Sequence, residues 1–214
     1  MEVKLSIPTT LNEITLGQYQ EFSKLDITKE SEVQSKMIEI FCKVPVEVVR
    51  SMKAKDITDI CVIINNMFDV EHQLINRFQM NGKDYGFIPD LENMSFGEYV
   101  DLDTFMGDND NLHRAMNVLY RPIDLKKNTR YTLKEYDPDT NEEAKNYPLD
   151  ACFGAMVFFY DLGRDLSTVI LNSSSKQNEE SLVQFLASQP NGDGTIQSMQ
   201  SLTEILQGLK ISLN

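Results

Sequence analysis

Basic side chains are scarce in this sequence. Only 20 Lys and Arg stand against 33 Asp and Glu in 214 residues, giving a formal charge of −13 and a pI near 4.6. Nucleic acid and anionic membranes both demand clustered cations, because binding releases counterions that Lys and Arg replace. The densest basic cluster, Lys126, Lys127 and Arg130, is too small for that and reads as solvated surface. Histidine is scarcer still. His72 and His113 stand alone, with no HxH or HExxH spacing to put two imidazoles on one helix face. Cysteine is limited to Cys42, Cys61 and Cys152, each in apolar surroundings. An odd count without a CxxC pair argues against a disulfide framework and predicts reduced, buried thiols in a reducing compartment. Long apolar runs are missing too. The strongest, Ala151 to Tyr160, lies between Asp150 and Asp161; it is too short to span a bilayer and suits a buried helix. Met1 to Pro8 has no apolar signal core, so a soluble intracellular protein is expected.

Catalytic signatures are equally lacking. There is no GxSxG elbow, and Gly82-Lys83-Asp84-Tyr85-Gly86 lacks the glycine spacing and the Lys-Ser/Thr end of a phosphate loop. Isolated acids and tyrosines occur, but no pattern selects any of them for proton transfer. The expectation is a protein without enzymatic activity and without a cofactor.

What the chain does contain is a repeat. Ile14-Thr15-Leu16-Gly17-Gln18-Tyr19-Gln20-Glu21-Phe22 returns as Met94-Ser95-Phe96-Gly97-Glu98-Tyr99-Val100-Asp101-Leu102. Both copies read apolar, hydroxyl, apolar, Gly, Gln/Glu, Tyr, any, acid, apolar. Downstream, Ile38 to Pro45 parallels Met116 to Pro122, with one residue fewer before the proline. Self-similarity of this kind predicts a duplicated helical hairpin, here over 14–45 and 94–122. Thr15 with Gln18, and Ser95 with Glu98, have the spacing of capping boxes.

Between the copies, Val33, Met37, Ile40 and Phe41 face inward on a helix that Ser31 caps, and Pro45 opens the next helix. Asp56 and Asp59 start another carrying Ile57, Ile60, Cys61, Ile64, Met67 and Phe68 at helical spacing. The period then changes. Residues 74–88 alternate around Asn81-Gly82, a type I′ hairpin signal. Arg130 to Tyr136 reads as a strand, Asp137 to Asn141 as a turn, and Pro148 opens a helix to about Leu171. Asn172 to Asn178 is polar and Ser-rich, the composition of a linker. Short helices are predicted over 180–188 and 197–209. The expected fold is therefore mainly α: a body over 1–171, built of duplicated helical hairpins with one or two small β-hairpins, and a linker with a C-terminal helical arm over 172–214.

Candidate sites are few. Residues 189–200 sit on the EF-hand frame with Asn191 and Asp193 at ligand positions, Gly194 at the turn and Ile196 at the apolar eighth position. The first ligand is Gln189 and the twelfth Gln200, so the loop lacks two of the carboxylates that hold a hard cation. The simpler reading is a Gly-rich turn whose Asp193 or Thr195 caps the next helix. A calcium-responsive helical module is the third functional reading this loop leaves open. Asp101, Asp103, Asp108 and Asp110, near His113, read as solvated surface and turn caps rather than as a metal site. The aromatics at helical spacing, Tyr19, Phe22, Tyr99 and Phe105, are core residues or protein-contact anchors, joined on the arm by Phe185 and Leu206.

The stretch Tyr85 to Leu91, with Met94 to Thr104, Asn111 to Met116 and Val118 to Ile123, resembles virion-associated proteins of tailed, crAss-like bacteriophages. The resemblance covers about 5–125, is strongest over 85–123, and brings no catalytic residues. It implies a structural or assembly role in the head, portal–tail region or packaged cargo. Other phage structural proteins or further copies of the chain would be the partners, first in the host cytoplasm and then in the virion. A tail-assembly chaperone that leaves before the particle is complete is the alternative.

Overall fold

The computed structural model describes residues 5–91, 93–127 and 130–174. A 3-10 turn (Leu11–Glu13) leads into α1 (Leu16–Ser23), where Thr15 Oγ1 accepts from Gln18 N at 3.3 Å and Gln18 Oε1 accepts from Thr15 N at 3.1 Å. Two otherwise orphaned helix donors are satisfied reciprocally, so the chain turns helical at that residue. Next come α2 (Glu30–Phe41), α3 (Val46–Ser51) and α4 (Ala54–Phe68). Lys29 rather than Ser31 is the N-cap of α2, and Pro45 sits one position earlier than expected, as the N-cap of α3. α4 buries Ile60, Cys61, Ile64 and Met67, one stripe at helical spacing.

Strands β1 (Arg77–Met80) and β2 (Lys83–Phe87) are joined by Asn81 and Gly82 with φ of +51° and +74°. Positive φ at both central positions is the type I′ geometry, which only Gly and Asn adopt cheaply. After β2 the chain forms α5 (Phe96–Phe105) and α6 (Leu112–Leu119), then β3 (Tyr120–Lys127) and β4 (Arg130–Leu133). A nine-residue 3-10 segment (Pro138–Asn146) replaces the simple turn expected near Asp137, and α7 (Leu149–Ser174) follows.

The four strands form a single antiparallel sheet in the order β1-β2-β3-β4, which corrects the expectation of a mainly α body with separate small hairpins. The protein is mixed α and β. The pairing that makes the difference is β2 with β3, where Tyr85 lies opposite Pro122 and Phe87 opposite Tyr120. It joins two hairpins across the whole of α5 and α6. Arg121-Pro122 reads locally as a helix stop, and a strand carrying charges and a proline gives no apolar alternation to betray it.

The core forms on both sides of α7. On the sheet side, Phe78 stacks on Tyr85 at 5.3 Å, and both meet Tyr147 edge-on at 5.2 Å. Phe87 contacts Tyr120 and Phe158. On the helical side, Phe153 meets Tyr19 at 5.1 Å and Phe68 at 6.2 Å, while Phe41 lies between Phe22 and Phe68. The buried phenols are satisfied: Tyr120 Oη donates to the Ile75 carbonyl (2.8 Å), Tyr147 Oη to the Tyr120 carbonyl (3.1 Å), and Tyr85 Oη to Glu143 (2.8 Å). Such pairing removes the penalty of sealing hydroxyls in an apolar core. No helix among the described residues is long and apolar enough to cross a membrane.

Candidate interaction surface

The two motif copies start alike and end differently. At Ser95 the capping box forms again: Ser95 Oγ accepts from Glu98 N (3.3 Å) and Glu98 Oε2 accepts from Ser95 N (2.7 Å). In each copy the same side chain then reaches a later segment, α2 in the first and β3 in the second. Gln18 Nε2 donates to the Ile40 carbonyl, and Glu98 Oε1 accepts from Arg121 Nη1 at 2.8 Å, with both members of that ion pair largely buried. α2 closes in a Schellman turn, with Lys43 at φ +54° and Val44 N donating to the Glu39 carbonyl. α6 instead passes directly into β3, since Tyr120 is already extended.

A polar junction ties the copies together. Gln20 Nε2 donates to the carbonyls of Asn109 (2.7 Å) and Asp110 (3.2 Å) and lies 3.3 Å from His113 Nδ1. The direction of that last contact follows the imidazole tautomer. His113 is buried, and Glu142 Oε1 lies 3.5 Å from its Nε2 without hydrogen-bond alignment. Burial, reinforced by the Lys145 charge, holds the imidazole below the ordinary value of 6.5.

The faces of the copies differ most at their first position, Leu16 against Phe96. In the first, Leu16 is fully buried, Tyr19 rests on Phe153 with its phenol pushed up to about 12 by burial, and Gly17 lies against Lys145. In the second, the counterparts face solvent: Phe96 is 76% exposed and Tyr99 38%, with Val100 beside them. Phe96, Tyr99 and Val100 sit at i, i+3 and i+4 and form one apolar stripe. A Cβ added at Gly97 would meet nothing within 4 Å. Val62, Ile63 and Val70 are also exposed, and Ile63 and Val70 line a groove of about 620 Å³ with Leu11, Met67, His72 and Asp150.

Of the predicted contact residues, Tyr19 and Phe22 are half-buried core, while Tyr99 is exposed. Phe105 is half-buried, with the Arg114 guanidinium 5.0 Å from its ring centroid. Phe185, Leu206, the 189–200 loop and the arm with most of its linker lie outside the described residues; α7 itself continues to Ser174. The acidic stretch is spoken for. Asp101 accepts from Tyr136 Oη (2.7 Å), Asp108 from Asp110 N and Asn111 Nδ2, and Asp110 pairs with Lys24 at 3.4 Å. Among the described residues no three His, Cys, Asp or Glu are placed to hold a metal ion. The three cysteines are buried and free, and burial pushes the Cys42 thiol up to about 11, which makes it a poor nucleophile. Sequence reasoning named Tyr99 but missed Phe96, which the repeat aligns with a core leucine; only its exposure reveals it.

The chain matches no protein-family model, no curated protein and no solved structure.

Proposed function

We propose that this chain is a non-enzymatic structural or assembly protein of a tailed bacteriophage, working through protein–protein contacts in the head, portal–tail region or packaged cargo. The observation that carries the reading is the exposed Phe96, Tyr99 and Val100 stripe, whose first position is matched in the other copy by the fully buried Leu16. An aromatic pair on a helix face, beside a bare glycine, has the composition and rigidity of a contact anchor. The phage setting rests on the resemblance of residues 5–125, whose strongest part includes this stripe. The net charge of −13 supports contacts to protein rather than to packaged DNA.

The test is the composition of purified particles from a phage encoding the chain, measured by quantitative mass spectrometry. The expected result is a fixed copy number per particle, strongly reduced when Phe96 and Tyr99 are both changed to Glu in a chain that still folds. A chain abundant in infected cells and missing from particles would overturn a virion role and favour an assembly factor that departs.

A further inference from the structure

We infer that the groove beside α4 binds a segment of a partner protein in which a Lys or Arg adjoins a bulky apolar side chain. The groove, of about 620 Å³, is lined by the C-terminal half of α4, residues 70–75, Thr9 to Leu11, and Asp150 at the start of α7. Its wall is mainly apolar. Leu11 and Met67 are buried, while Ile63 and Val70 keep 41% and 55% of their surface exposed. A concave apolar wall of this size, set with a few polar groups, has the make-up of a binding site. An apolar side chain docked there removes Ile63 and Val70 from water.

The polar groups set the charge of the occupant. No Lys or Arg lines the groove, and its two carboxylates, Glu71 and Asp150, pair with no Lys or Arg among the described residues. Asp150 Oδ1 accepts from Ala151 N at 2.7 Å, whereas Oδ2 has only Asn12 Nδ2 at 3.5 Å, the far limit of a hydrogen bond. His72 packs edge-on against Phe153 at 5.2 Å, and burial holds its imidazole below the ordinary value of 6.5. At neutral pH the groove therefore holds negative charge and no cation of the chain's own. Among the described residues these groups do not converge as metal ligands. Spaced acceptors along an apolar wall suit a long cationic side chain, whose stem is itself apolar. The main chain favours a peptide over a free amine. Residues 71–75 form no regular element, and no described residue accepts from their N–H groups, so a peptide's carbonyls have donors to meet. The groove shares no residue with the α5 stripe, so its occupant is independent of whatever meets that stripe.

Amide NMR spectra of the full-length chain test this, titrated to about millimolar with a synthetic pool of hexapeptides carrying Lys beside Leu, Ile, Met or Phe. A second pool has Glu in place of Lys, and n-butylamine stands for a free amine. The Lys pool should shift the amides of 66–75 and 150–151, while the Glu pool and butylamine leave them in place. Glu71→Gln with Asp150→Asn should weaken the response to the Lys pool roughly fivefold or more. Val70→Ser, at an exposed position, should weaken it with no change of charge. Phe96→Ser, outside the groove, should leave it unchanged. Damage to the fold by Asp150→Asn would move resonances throughout the spectrum; Glu71→Gln alone, at an exposed side chain, then carries the charge test. No shift at the groove would overturn the assignment, as would equal shifts from the Glu pool or from butylamine. Indifference to both Glu71→Gln and Val70→Ser would overturn it too.

Discussion

Glu98 performs two tasks with its two oxygens, capping α5 through Oε2 and pairing with Arg121 through Oε1. Gln18 does the equivalent work in the first copy without charge, so the ion pair is a substitution on a common plan rather than a requirement of it. Removing one member of a buried pair strands the other. Arg121→Met should therefore cost about 3–5 kcal/mol. Glu98→Gln added to it should recover most of that loss, because the amide still caps Ser95. Urea midpoints for both variants decide it; a double variant no better than the single would sink the argument. His113 makes a pH prediction. Its folded-state value is depressed below 6.5, so on acidification the unfolded chain takes up a proton that the folded chain resists. The stability this histidine contributes is present above pH 6.5 and lost as pH falls below it. His72 is shifted the same way by burial. Urea midpoints should fall between pH 7.5 and 5.5, about the histidine range, and His113→Gln should flatten part of that slope. An unchanged slope would mean the imidazole is not held neutral.

At the scale of elements, α7 is positioned by a backbone contact. A side chain at Gly154 would run into the carbonyl of Gln73, so the helix seats against the 73–74 segment only because that position is bare. Gly154→Ala should destabilise by about 1–3 kcal/mol through overpacking. Thermal melts check it, and a stabilised variant would show that the segment yields freely. Two capping boxes and one turn were legible in the sequence because their partners are three residues apart or fewer: Thr15 with Gln18, Ser95 with Glu98, Asn81 with Gly82; the cap expected at Ser31 was not formed. The divergent ends of the repeat were half legible. One residue fewer precedes Pro122 than Pro45, but the sequence does not say that one exit is a Schellman turn and the other a strand. That choice belongs to β2, which offers Tyr120 and Pro122 a pairing edge.

For the whole molecule, the excess of 33 acids over 20 bases sets the energetics of compaction. Most described ion pairs are at the surface and contribute little. Like-charge repulsion is therefore expected to oppose folding and to be relieved by screening. Raising NaCl from about 0.01 M to about 0.1 M shortens the screening length from ~30 Å to ~10 Å. The melting temperature should rise over that interval, and potassium chloride should act equally. A fall would show that attractive pairs dominate.

Local chemistry in the sequence determined the capped helices, the I′ hairpin, the reduced buried thiols and the two motif copies. Each depends on neighbours within a few residues or on side-chain type alone. Only the tertiary structure decided that the hairpins merge into one sheet, that Gln20 meets His113, and that Leu16 is core while its twin Phe96 is surface. Those outcomes depend on which distant segment arrives at a face. Residues 145–153 reach the first copy, while in the second Phe96 stays 76% exposed.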